Sequence, residues 1–516
     1  LEMPYRKNLR AQPGQKLMRV RTITGRSQVP ISKPAGDKRN DYRAKPRGGV
    51  FLGGPLSAML LSLCFFEGSG ILERTIPWFG LLPLLISLGR HRYSLKWRLL
   101  HGFFFGSILC CWPLASAGSW VEAPILSTAE ASLPIIGAWM LFCAAGGVLL
   151  RKSSPLAIVP VMAVTWTAIE YLRIEYIPLA SPGMQLGQLL QPDSPEGQIA
   201  TVIGLSGLGF VICLVNGAFF LALRESRVRT QVFPALAATL GVLGMVGLGS
   251  IIEAPGKNGG RLPGESLRVG LVQNTGDGDG KHLDLARQLL NSKPRLILFP
   301  SDTFPGSGDK PGFKTRLETF AREEGVAIGA GVLKDRESGE DSRPSLLYIA
   351  SGARHGDESA EEILSIETKE GQSILLVTDR VSHSAHQMRR LASEGAQLFL
   401  VAGDSAGMQT EMHRLLDRLL AFRALETGAG ICRATRKGSS SILNNRGSLQ
   451  AEAPKGQDWA AVNPAPLLDP RQGHTWFVKG GWVLAPGCLF ALGILALLEL
   501  YSRRKIPGAQ DSTRPS

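Results

Sequence analysis

Leu296-Ile297-Leu298-Phe299-Pro300-Ser301-Asp302-Thr303-Phe304-Pro305-Gly306 is a short apolar run closed by a proline, two small polar residues and a second Pro-Gly stop. An apolar run of this length between turn signals reads as a buried strand that ends in a loop. In an α/β fold, the loop at the carboxyl end of a strand is where chemistry usually sits. The neighbouring sequence supplies partners for such a strand. Leu267–Val272 alternates as a strand, and Val326–Leu333, Leu346–Ala350, Ile363–Ile366, Ser373–Thr378 and Leu398–Val401 read the same way. Lys281–Leu290, Phe313–Glu324, Ala385–Glu394 and Gln409–Glu426 have helical spacing. Gly430–Ala434 and Ser440–Asn444 read as strands, with a hairpin signal at Asn445-Arg446-Gly447. Strands alternating with helices imply a layered α/β domain around buried sheet.

The chain has 516 residues, 44% hydrophobic and 19% charged, but the averages hide a split. Residues 49–251 and 481–501 carry long apolar runs, whereas 1–48 and 252–480 read as soluble protein. Eight segments reach spanning length, near 49–66, 74–89, 101–118, 131–150, 155–172, 199–223, 233–251 and 481–501. The second is weak and broken by Pro77 and Pro83. Lys and Arg gather in alternate connections: Arg90, Arg92, Lys96 and Arg98; Arg151 and Lys152; Arg224, Arg227 and Arg229; Arg503, Arg504 and Lys505. By the positive-inside rule this alternation puts both termini in the cytoplasm. The soluble stretch then lies on the outer face of the membrane.

The expected organisation is therefore a basic, disordered cytoplasmic tail (1–48), a seven-helix membrane domain (49–251) and a linker (252–264). An α/β domain (265–480), a last transmembrane helix (481–505) and a short cytoplasmic tail (506–516) follow. The first tail has 13 Lys/Arg against 3 Asp/Glu, within a net charge of +14. Next to a membrane span, such charge reads as cytoplasmic tail and loops rather than a nucleic-acid arm.

The seven Cys fall almost entirely in apolar segments, and only Cys432 lies in the soluble part. No CxxC or Cys/His spacing suggests a structural metal, and no cofactor is implied. Cys432, in apolar surroundings, reads as a packed thiol. Glu170 sits inside the fifth apolar segment, where an ionisable group is expensive. It reads either as an i, i+3 pair with Arg173 or as a group facing a substrate cavity. Asp379, His383 and His386 could form a metal or acid–base cluster. The plainer reading is a polar helix start capped by Ser382 or Ser384. His355 and His413 add no spacing of their own.

At this point the pattern resembles the apolipoprotein N-acyltransferase family, whose members join a membrane bundle to a nitrilase-superfamily (CN-hydrolase) domain. The resemblance rests on Trp166…Glu170-Tyr171-Leu172-Arg173, Gln198-Ile199-Ala200 leading to Gly204 and Gly207, and Asn216. In the soluble part it rests on Val272-Gln273-Asn274, Phe299-Pro300, Arg423-Ala424-Leu425-Glu426, then Arg433, Thr435, Gly438 and the Asn444…Gly447 turn. It covers about residues 49–505. It implies a helical membrane bundle of about eight helices plus an extracytoplasmic nitrilase-like sandwich. The implied activity is acyl transfer from a phospholipid to the N-terminal Cys of a diacylated lipoprotein. That chemistry takes a Cys nucleophile, a Glu base and a Lys facing the oxyanion.

The catalytic positions depart from the family. Ser301 stands where the family has Glu, with Asp302 as a candidate substitute base. Thr378 stands where it has Cys. The interval Ser351–Gln372, where the Lys belongs, offers only Lys369, in a Glu367–Gly371 turn. Three readings follow: a catalytically degenerate homologue that binds lipid, lipoprotein or a protein partner; an active acyltransferase with rearranged residues; or a structural subunit of a membrane complex. The favoured reading is the first.

Overall fold

The computed structural model describes residues 52–64, 71–90, 94–115, 125–177, 183–224, 228–253, 266–275, 279–301, 311–333, 344–351, 357–359, 362–368, 370–403, 410–436, 438–469 and 473–504. Asp302, Lys369, His355 and both tails lie outside them, and the side chain of His413 is likewise not described.

The membrane-type helices are α1 (Gly53–Leu63), α2 (Ile71–Thr75), α3 (Leu82–Arg90), α4 (Leu95–Ala115), α5 (Ile125–Lys152), α6 (Pro155–Tyr176), α7 (Pro195–Gln198), α8 (Ala200–Arg224) and α9 (Val228–Glu253). Among the described residues, five helical stretches are long and apolar enough to cross a membrane: Ser132–Leu150, Ala157–Tyr176, Ala200–Arg224, Val232–Ile252 and Gly481–Leu498. The second expected span is not one helix. It is α2, a 3-10 turn at Ile76–Trp78, and α3. Asn216 of α8 pins this break, donating to the Pro77 carbonyl (2.9 Å) and accepting from Leu81 N (3.0 Å). Buried Asn is retained where it satisfies backbone groups that a proline break has freed. The outer faces of α9 and the last helix are apolar and uncovered. Phe233 is 74% and Phe490 72% exposed, which suits hydrocarbon as solvent and not water.

The remaining helices are α10 (Asp279–Leu290), α11 (Pro311–Glu324), α12 (Asp379–His383), α13 (Ala385–Ser393), α14 (Thr410–Thr427), α15 (Trp476–Lys479) and α16 (Leu484–Arg504). The strands are β1 (Ser266–Gln273), β2 (Leu296–Phe299), β3 (Ala327–Leu333), β4 (Pro344–Ile349), β5 (Asp357–Ser359), β6 (Ile363–Glu367), β7 (Ser373–Thr378), β8 (Leu398–Ala402), β9 (Gly430–Ala434), β10 (Ser441–Leu443), β11 (Leu449–Glu452) and β12 (Trp459–Pro466).

The strands form two six-stranded sheets, ordered β12-β1-β2-β3-β4-β5 and β11-β10-β9-β8-β7-β6. In each, three central strands are parallel and the outer ones antiparallel. Strand residues alternate between faces, so alternate apolar residues serve different layers. Leu296 and Leu298 pack with Ile374, Leu376, Leu398, Leu400 and Cys432 between the sheets. Ile297 and Phe299 face α10 and α11. Leu375, Val377, Phe399 and Val401 face α13 and α14. The result is a four-layer α–β–β–α sandwich, which explains why the opening strand is apolar on both faces.

Helix α14 belongs to two cores. Leu415, Leu416, Leu419, Phe422 and Leu425 lie in the core of the membrane-type bundle. Leu420, Ala421 and Ala424 lie against the sheet of β7, β8 and β9. A helix apolar on both sides is buried on both sides, and this one joins bundle to sandwich. Arg418 donates to the Gln188 carbonyl (3.1 Å), and Gln188 Nε2 donates back to the Leu415 carbonyl (3.2 Å).

Candidate functional site

The carboxyl ends of the two parallel strand sets meet. Ser301 N, just past β2, donates to the Gly403 carbonyl, just past β8, at 3.2 Å. Ser440 N, beside β10, donates to Gln273 Oε1 at the end of β1, at 2.9 Å. Gly331 in β3 leaves room for this approach. A Cβ there would stand 2.3 Å from Ser301 Cα and 3.2 Å from Ala402 Cβ. Thr378 pairs with Ala402 across β7 and β8, and shares the inward face of Ile374 and Leu376. Ser301 and Thr378 therefore both neighbour Ala402 at the floor of the strand ends. Both are buried, and neither hydroxyl has a hydrogen-bond partner in the structure.

Cys432 does not reach this floor. It pairs with Leu400, two residues short of the end of β8, and is buried between the sheets. Burial pushes its thiol well above the ordinary range, so it carries no thiolate.

The acid beside Thr378 is held. Arg433 of β9 grips Asp379 through Nε–Oδ1 (3.1 Å) and the second nitrogen to Oδ2 (3.0 Å), and its remaining arm reaches Asp417 of α14 (2.9 Å). Arg433 is fully buried, and so needs both carboxylates to satisfy its charge. Asp379 is thus engaged by the guanidinium and is not poised as a base towards Thr378. Of the Asp379, His383 and His386 set, His383 is buried and His386 is exposed. Among the described residues, no group of three His, Cys, Asp or Glu could hold a metal. Ser384 caps α13, accepting from Gln387 N, as the plainer reading expects.

Burial pushes the His383 imidazole down to about 4, against an ordinary 6.5, with Arg433 and Arg423 adding to the effect and Asp379 opposing it. The unfolded chain takes up this proton near 6.5 and the folded chain refuses it until about 4. Stability is then full above pH 6.5 and falls as pH drops towards 4, by about 3 kcal/mol in total. His383→Gln is expected to flatten that slope. The check is melting temperature against pH in detergent, and an unchanged slope in the variant would refute it.

A second set of buried polar groups joins the sandwich to the bundle. Helix α8 breaks at Gly204 (φ 72°, ψ 175°) and restarts at Leu205. The Leu205 N–H, orphaned by the break, donates to Glu426 Oε1 of α14 at 2.7 Å. The other Glu426 oxygen pairs with Arg423, which also donates to the His383 carbonyl (3.1 and 3.0 Å). A side chain at Gly204 would stand 2.4 Å from the Phe477 ring, so the left-handed turn and the close approach both require glycine.

Inside the bundle, Glu170 is buried and accepts from Leu186 N at 2.8 Å, while Arg173 donates to the Gly183 carbonyl at 3.1 Å. Both side chains anchor the Gly183–Leu189 stretch. That stretch lines a small cavity of about 10 Å³ together with Leu61, Phe105, Trp139 and Trp166. Glu170 holds one wall of this cavity without lining it.

The architecture is a helical bundle of membrane character joined to a double-sheet α/β sandwich whose strand ends gather at one floor. Residues 57–218 match the apolipoprotein N-acyltransferase N-terminal domain. Apolipoprotein N-acyltransferase from Geobacter metallireducens is 23% identical over 524 residues, covering 90% of this chain and 97% of that one. The enzyme of that name from Methylococcus capsulatus is 24% identical, covering 77% and 86%. Among solved structures, an amidase of the nitrilase superfamily from Nesterenkonia is 18% identical, with a TM-score of 0.34 over 42% of this chain and 94% of that one. Over most of its length the chain is similar to enzymes named apolipoprotein N-acyltransferase.

Proposed function

We propose that this chain is a catalytically degenerate member of the apolipoprotein N-acyltransferase family. It sits in a bacterial inner membrane with both termini cytoplasmic and the sandwich on the outer face. It holds phospholipid and diacylated lipoprotein without moving an acyl chain between them. The observation that carries this reading is the floor at the strand ends. The resemblance sets Ser301 and Thr378 at the family's Glu and Cys positions, and the adjacent Asp379 is bound by Arg433. A hydroxyl without a neighbouring base is a far weaker nucleophile than a thiolate.

One observation favours the reading as a rearranged enzyme: the two hydroxyls converge on Ala402 without partners. The test therefore includes them. The full chain in phospholipid–detergent micelles is given a diacylated lipopeptide with a free N-terminal Cys amine, and the lipopeptide is weighed. The expected result is retention of the lipopeptide with no added acyl chain. An acyl gain abolished by Thr378→Ala or Asp302→Ala would overturn the proposal. Neither gain nor retention would instead favour a subunit that binds a membrane protein partner.

A further inference from the structure

Arg389 of α13 stacks on an aromatic ring. Its guanidinium lies over the Trp482 ring, 4.5 Å from the centroid. Its Nε is buried and has no hydrogen-bond partner. Among the described residues, no carboxylate forms a salt bridge with it. Glu175, the nearby acid on α6, instead accepts the Ser384 hydroxyl at 3.0 Å. By contrast, the adjacent Arg390 is paired with Glu394 at 2.9 Å.

The surroundings locate this group at the level where membrane meets water. Trp482 is at the start of the Gly481–Leu498 stretch that is long and apolar enough to span. Tyr171, within Coulombic reach of Arg389, lies near the end of the Ala157–Tyr176 stretch. The Tyr171 and Tyr176 rings meet edge to face at 5.8 Å, and Tyr176 and Trp476 are 62% and 71% exposed. Tyr and Trp gather at headgroup depth, apolar ring inward and polar edge outward. Lys479, exposed over the Trp476 ring, adds positive charge to the same belt.

An unpaired guanidinium at headgroup depth lacks an anion, and the anion abundant there is the phosphodiester of a lipid. Arginine suits it because its planar fork meets phosphate oxygens in pairs while its face stacks on an indole. We infer that Arg389, stacked on Trp482, is a binding site for the phosphate of a membrane phospholipid and seats the sandwich on the bilayer. The inference rests on the membrane reading of α6 and α16 and goes beyond the question of acyl transfer. It predicts a bound lipid whether or not the chain is an enzyme.

The test is native mass spectrometry of the full chain in detergent, titrated with phosphatidylglycerol and with diacylglycerol of the same chains. Wild-type protein is expected to retain phosphatidylglycerol about tenfold better, the scale of one charge-assisted contact. Arg389→Met and Trp482→Leu should each erase that preference, while Arg390→Met should keep it. Equal retention of the two lipids by wild-type protein, or an undiminished preference in either of the first two variants, would overturn the inference. So would displacement of the lipid by inorganic phosphate at equal concentration, which would mark a site for the free anion. If Arg389→Met does not fold, the wild-type comparison and Trp482→Leu still decide.

Discussion

Replacing Arg433 by methionine is expected to cost about 3–5 kcal/mol of stability, the range for removing one partner from a buried ion cluster. The change takes from Asp379 and Asp417 the guanidinium that grips them both. Two consequences separate this from a simple loss of packing. The deficit should shrink as pH falls, because protonation removes the uncompensated charge. Adding Asp379→Asn and Asp417→Asn to Arg433→Met should restore a large part of the loss, since a neutral cluster carries no unpaired charge. Thermal unfolding in detergent at pH 7 and pH 5 reads both. A deficit that ignores pH and is not repaired by the added changes would show that the cluster acts through shape alone.

Replacing Glu426 by alanine is expected to have an effect of the same size, about 3–5 kcal/mol, for a different combination of reasons. It strips Arg423, which is 1% exposed, of its only ion-pair partner among the described residues, and it leaves the Leu205 N–H without an acceptor at the break in α8. Glu426→Gln should lose less, about 2 kcal/mol, because its amide oxygen still accepts from Leu205 while the charge on Arg423 goes unanswered. The damage should also be localised. Hydrogen exchange is expected to rise at Leu205 and along α15, whose Thr475 donates to the Glu426 carbonyl. Melting temperatures with exchange at these positions check the prediction. Unaltered protection at Leu205 in Glu426→Ala would mean that the cap is not what holds the break.

Much of the sandwich was legible because strands with two buried faces are apolar throughout. Leu296–Phe299, Ser373–Thr378 and Gly430–Ala434 all fall where the sequence places them. Strand β12 was missed for a specific reason. Trp459–Pro466 contains Pro464 and Pro466, which speak against a strand, yet it pairs with β1 along all of its eight residues. It is an edge strand, where a missing N–H can face outward. The short strands β5 and β11 carry too few apolar residues to be read from pattern.

The candidate site divides in the same way. The apolar pattern gave the strand ends, and the resemblance to the family's motif singled out Ser301 and Thr378 there. Asp417 and the Glu426–Leu205 contact were not legible, since the latter links residues 221 apart. A signal was present all the same: Arg433 interrupts an otherwise apolar strand, and a charge there must find a partner. Arg389 gave no signal, because a lone arginine on an amphipathic helix reads as a solvated one. Glu170 was rightly marked as costly, but its use in holding the Gly183–Leu189 stretch depends on backbone groups that no pattern displays.

The proposal of a degenerate site requires that Ser301 and Thr378, the described residues at the strand ends, take no acyl chain from a phospholipid. The most direct measurement is the intact mass of the full-length protein after incubation with phospholipid and an acid quench, with no acceptor peptide present. The unmodified mass is expected at every time point. A gain of one acyl chain, absent from Thr378→Ala or Ser301→Ala, would contradict it and place a working nucleophile on the floor beside Ala402.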